Sequence, residues 1–154
     1  MDTNITKTWT IKISEDEVFA RCTNETLYQA YSRAEENPKY DAVVIQDDDK
    51  GQFRIYYNVA MANLHMLLAR RLAEPQVDAW DGYLGTTTFK LQMHDNHDNN
   101  VLQMLGVHCV DFLVKKVLEQ WYHADFGSEL ERLEINHCLH YRKYPVRRRL
   151  DPLI

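Results

Sequence analysis

Seven histidines and a generous supply of carboxylates are the residues of this sequence with the most chemical reach. His94 and His97 flank Asp95 and precede Asp98, so the HDNHD cluster could offer imidazole and carboxylate ligands to a metal ion. Two histidines on one loop fall short of the three or four ligands that a zinc site needs, and the same cluster serves as a polar turn capping the next helix. His65, His108 and His137 fall one on each of three expected helices. A helical-bundle, metal-dependent hydrolase could use such a set, but nothing in the spacing makes the three converge, and the expectation is that no HExxH or ExxH signature places two ligands on one helix face. The expectation is no metal, no cofactor and no catalytic residue.

The remaining candidates point the same way. There is no GxSxG, no phosphate-cradling glycine loop and no GxGxxG, and the five glycines are scattered as turn punctuation. Cys22, Cys109 and Cys138 sit inside apolar patterns of helical period, where a thiol is a core residue rather than a nucleophile. They are odd in number and widely spaced, which fits neither a disulfide framework nor a zinc site. Asp47, Asp48 and Asp49 lack the spaced ligands and closing glutamate of a calcium loop, and a helix start accounts for them.

The elements that would position these residues are mostly helical. Residues 8–13, TWTIKI, alternate as a half-buried strand. Ser14 and Glu17 form a capping box for a first helix, whose Val18, Cys22, Leu27, Ala30, Tyr31 and Ala34 recur at helical spacing until Pro38. A short apolar piece at 42–46 suggests a further short strand. DDDKG then opens a long amphipathic helix from Phe53 to Leu72, any of the three aspartates being able to cap it and Gly51 easing its start. Its apolar face is Phe53, Tyr56, Tyr57, Ala60, Met61, Leu64, Leu67, Leu68 and Leu72. Residues 76–85 read as a loop, and 86–93, TTTFKLQM, as a second strand. The helix from about Val101 to His123 is apolar over most of its circumference, which predicts the buried central helix. Ser128 and Glu131 look like a second capping box, opening a last helix to about Tyr141. The expected fold is mainly α with minor β: a four-helix bundle-like domain over residues 1–141 with a short strand pair, followed by an extended C-terminal arm over 142–154.

Length and composition suit one soluble domain with its own core, and no stretch approaches a membrane span or a signal peptide. Charge is more telling. The arm holds five of the eighteen basic side chains and one of the twenty-three acidic ones, a net of +4, which leaves 13 basic against 22 acidic residues in the body, a net of −9. An acidic body argues against general affinity for nucleic acid, whose phosphates need a positive surface. Within the arm, Pro145 and Pro152 stiffen the backbone, while Val146, Leu150, Leu153 and Ile154 offer apolar anchors between the charges. Such an arm suits docking along a protein surface of opposite sign.

TWTIKI leading into ISEDEVF, then VVIQDDDKGQFRIYY, LEQWY and the closing LHYRKYPVRRRLDPL together resemble small structural proteins encoded by tailed phages and prophages of Bacteroides-type bacteria. The resemblance implies a head–tail connector, neck or tail-ring subunit that forms a homo-oligomeric ring next to the portal protein and adjacent neck or tail proteins. It places the protein in the virion neck, or in the host cytoplasm during assembly, with DNA met only as it passes through the channel and no membrane contact. Carried over, Arg142, Lys143, Tyr144, Pro145, Arg147, Arg148, Arg149, Leu150, Pro152 and Leu153 would be the docking residues. No signature separates adaptor, stopper and tail-ring positions. Two other classes stay open: a nucleic-acid-binding or regulatory adaptor using the arginine-rich tail, and the histidine-based hydrolase. The two strands, too short to be stable as an isolated pair, could also join across subunits.

Overall fold

The structure, a computed structural model, describes residues 6–33, 44–73 and 85–141. Strand β1 (Thr6–Ser14) runs antiparallel to β2 (Thr86–His94) in unbroken register, from Thr6 opposite His94 to Ser14 opposite Thr86. The strands therefore pair with each other within one chain. The reason is the burial of one face: Ile11, Ile13, Phe89, Leu91 and Met93 all pack into the core, so a helical layer supplies the support that an isolated pair lacks.

Helix α1 (Glu15–Arg33) follows β1 without a loop. Glu15 N–H donates to Gly85 O at 2.7 Å, and Ser14 Oγ accepts from Glu17 N–H at 3.3 Å, as its capping role requires. The buried line is Val18, Cys22, Thr26 and Ala30, each four residues on from the last. Leu27 and Tyr31, expected on that face, lie about a quarter turn away and face solvent, Tyr31 being 81% exposed.

No strand forms at residues 44–46, and residues 42 and 43 lie outside the described residues. The Ile45 N–H is taken by Thr26 Oγ1 at 3.0 Å, and the Ile45 side chain is fully buried, so this piece is stitched to α1 by a side chain instead of a strand partner. Asp47–Asp49 make one 3-10 turn in which Asp49 Oδ2 accepts from Gln46 N–H at 2.9 Å. Helix α2 (Lys50–Leu68) then buries Phe53, Tyr57, Ala60, Met61, Leu64 and Leu68. Gly51 lies in its first turn without a positive φ, so glycine's freedom is not what starts the helix.

Helix α3 (Asn99–Tyr122) is the central helix, packed against α1, α2, β1 and helix α4 (Ser128–His140). Asp98 caps it, its Oδ1 accepting from Asn100 N–H at 2.8 Å, and His123 ends it in the left-handed region. The start of α4 departs from the expected capping box. Gly127, at φ +88, holds the cap position and makes Ser128 the first helical residue. The Ser128 hydroxyl donates to Glu119 Oε1 at 2.7 Å, while Glu119 Oε2 accepts the N–H groups of Phe126 and Ser128, each at 3.1 Å. A carboxylate on α3 thus satisfies the first backbone donor of α4 and that of Phe126 just before its cap, while Gly127 O accepts from Leu130 and Glu131 N–H. Burial works against its charge, but these hydrogen bonds hold the Glu119 carboxyl below its ordinary pKa.

Candidate functional site

The ten expected docking residues, Arg142, Lys143, Tyr144, Pro145, Arg147, Arg148, Arg149, Leu150, Pro152 and Leu153, lie outside the described residues, as do the loop residues 74–84. What the structure defines is where the arm departs. Tyr141 ends α4 in extended conformation, with its ring centroid 6.0 Å from that of His137 and 6.4 Å from that of His97. His97 is buried, and burial pushes its imidazole pKa down, so the ring is neutral packing for the end of α4. Its loop is pinned by Lys7, whose ammonium donates to His97 O and, at 2.6 Å, to Asn99 Oδ1. A groove next to the end of α4 is formed by Asn136, Leu139 and His140 together with Met66 from α2 and Arg70 and Arg71 from the 3-10 turn that follows it.

The histidines do not form one centre among the described residues. His65 packs near Phe89, at 6.1 Å between ring centroids, whereas His108 and His137 line a groove between α3 and α4. That groove also contains Glu134, and Glu134-x-x-His137 is a metal-type spacing on one helix face that sequence reasoning missed. The tightest ligand-type cluster is a different one: His108, Asp111 and Glu131 bring one atom each within 4.8 Å of one another. Its charges are already matched. Glu131 is bound by His108 Nδ1 at 2.8 Å and Lys115 Nζ at 2.7 Å, and Asp111 by Arg21 at 2.8 Å. A divalent cation placed there would face the Lys115 ammonium and the Arg21 guanidinium at close range. Burial alone would raise the Glu131 carboxyl, but its hydrogen bonds from Lys115 and His108 bring its pKa below the ordinary value. The network works as a clamp joining α3 to α1 and α4.

The thiols are equally withdrawn from chemistry. All three cysteines are free and buried. Burial pushes the Cys22 thiol up to about 12 and raises those of Cys109 and Cys138 as well, which leaves them protonated and poor nucleophiles at neutral pH. The stripe Phe53, Tyr56 and Tyr57 belongs to the core: Phe53 and Tyr57 stack at 5.6 Å, and Tyr56 meets Trp121 edge-on at 6.4 Å.

One surface went unnoticed in the sequence. Helix α2 has a second apolar line, Ile55, Val59, Ala62 and Met66, spaced by four, three and four residues and lying opposite its core face. Ile55 is 58% exposed and Met66 75%. The helix buries Phe53 to Leu68 on one side and offers solvent an apolar stripe on the other. At its N-terminal end a groove of about 460 Å³ is lined by Thr23, Leu27, Val44, Asp47 and Asp48. Asp47 and Asp48 are exposed and form no ion pair among the described residues. The signal was legible as a second helical line on α2, but a search for a single core face passes over it.

Comparison with protein-family models, curated proteins and solved structures finds no match to this chain. Among the described residues, no helix is long and apolar enough to cross a membrane.

Proposed function

We propose that this chain is a structural subunit of a tailed-phage neck: a head–tail connector that assembles as a ring and grips neighbouring subunits, the portal or the tail through residues 142–154. The observation that carries this reading is the opposition of charge, an arm of net +4 on a body of net −9. A closed ring needs two different patches on each subunit, and an arm opposite in sign to the body makes them complementary. The supporting chemistry is negative in kind. The nucleophile candidates are buried thiols, and the carboxylate and histidine cluster is spent on ion pairs that hold the helices together.

The test compares the mass in solution of the full chain with that of a chain ending at Tyr141, followed by electron microscopy of any large species. Rings formed by the full chain and lost on truncation, while helical circular dichroism is retained, support the proposal. Equal monomeric mass for both chains counts against it. The groove that holds Glu134 and His137 together with His108 leaves a second, lesser reading as a metal-dependent hydrolase, for which stoichiometric metal in the purified protein is the required finding. DNA affinity falling steeply with salt would instead favour a nucleic-acid adaptor.

A further inference from the structure

We infer that the outer face of α2, with the acidic groove at its N-terminal end, is the surface that receives residues 142–154 of a neighbouring copy. The inference rests on the ring reading above and names the patch that the arm would occupy.

Three observations carry it. The first is charge. Asp47 and Asp48 stand exposed at the start of α2 with no ion pair among the described residues, in a groove whose other walls include Leu27 and Val44. That combination of apolar floor and paired carboxylates matches Arg147, Arg148 and Arg149 flanked by Val146 and Leu150. The second is the apolar line of Ile55, Val59, Ala62 and Met66 on the outer face of the helix that follows Asp49, which Leu150, Leu153 and Ile154 supply side chains to cover. Single exposed apolar residues need no explanation, but an aligned row of them opposite a complete core face does.

The third is length. Helix α2 has 19 residues and is about 28 Å long. The arm has 13 residues and reaches roughly 43 Å when extended, enough to cross the groove and follow much of the helix. On the ring reading, arm and α2 face are two different patches of one subunit, and their meeting between copies is a head-to-tail contact of the kind that closes rings.

The test places a photoreactive amino acid at Val59 of the full-length chain and mixes isotopically light and heavy protein before illumination, with peptides mapped by mass spectrometry. The expected result is crosslinks from position 59 to residues 142–154 that join light to heavy chains, lost when Arg147, Arg148 and Arg149 are changed to Glu and regained when Asp47→Lys and Asp48→Lys are added. Crosslinks to the arm of the same chain, or from α2 to α2 of another copy, overturn the inference. Large species that dissolve on truncation at Tyr141 but give no crosslink from position 59 to the arm also overturn it, while leaving the ring reading intact. A monomeric full-length chain without crosslinks removes both.

Discussion

Glu119 is the most exacting test of how this fold is built, because a single carboxylate on α3 organises the start of α4. It accepts three hydrogen bonds, from Ser128 Oγ, Ser128 N–H and Phe126 N–H. Net values for hydrogen bonds to a charged acceptor run to about 1.5–3 kcal/mol, and loss of a helix cap costs about 0.5–2 kcal/mol. The three bonds share one half-exposed side chain and are not additive, so Glu119→Ala should cost about 2 kcal/mol and Glu119→Gln, which keeps one acceptor oxygen, about 1 kcal/mol. Urea unfolding followed by circular dichroism at pH 7 reads both differences. The pH dependence supplies the sharper check. The folded pKa lies below the unfolded value of 4.5, so the stabilisation is fully present above that value and is lost as the pH falls through the folded pKa. The gap between wild type and Glu119→Gln should therefore narrow below about pH 4.5. An alanine variant with the wild-type midpoint, or a gap unchanged down to about pH 3, refutes the assignment of Glu119 as the cap of α4.

Other outcomes follow from the same structure. Phe89→Ala removes a fully buried ring at the contact of β2 with the helices and should cost about 3–5 kcal/mol in the same unfolding assay. Gly106→Ala should raise stability by about 0.5–1 kcal/mol, read as a small increase in melting temperature, because the residue is mid-helix in α3, has no positive φ, and an added Cβ meets nothing within 4 Å. The three buried thiols should resist a disulfide reagent in the native protein at pH 8 and react in denaturant; fast labelling of the folded chain would contradict their burial.

The clamp of His108, Asp111 and Glu131 shows how a cluster with ligand-type chemistry can instead have a structural role. Each carboxylate already has a cation at hydrogen-bonding distance, from Lys115 or Arg21, and those cations come from two helices. Glu131 itself lies on α4, the helix that Tyr141 ends, so the network ties that helix to α3.

Periodicity and local chemistry were enough to place four helices and two strands among the described residues of this protein. The four-residue repeats of α2, the near-continuous apolar girth of α3 and the alternation of TWTIKI and TTTFKLQM each follow from covalent geometry and burial, which act over one or two turns. The opposition of charge between body and arm is likewise a property of composition alone. Tertiary structure decided whatever depends on which neighbour arrives. Ser128 and Glu131 carry a capping spacing, yet Glu119, nine residues before Ser128, takes the cap and frees Glu131 for His108 and Lys115. Ile45 sits in a strand-like run, yet Thr26 claims its N–H and no strand forms at residues 44–46. Leu27 and Tyr31 share a helical repeat with the core but stand a quarter turn outside it, and the second stripe of α2 is exposed only because the other three helices and the sheet pack on its opposite side. Hydrogen-bond competition and the choice of buried face are long-range decisions, made when distant segments meet, and a linear pattern carries no distance between them.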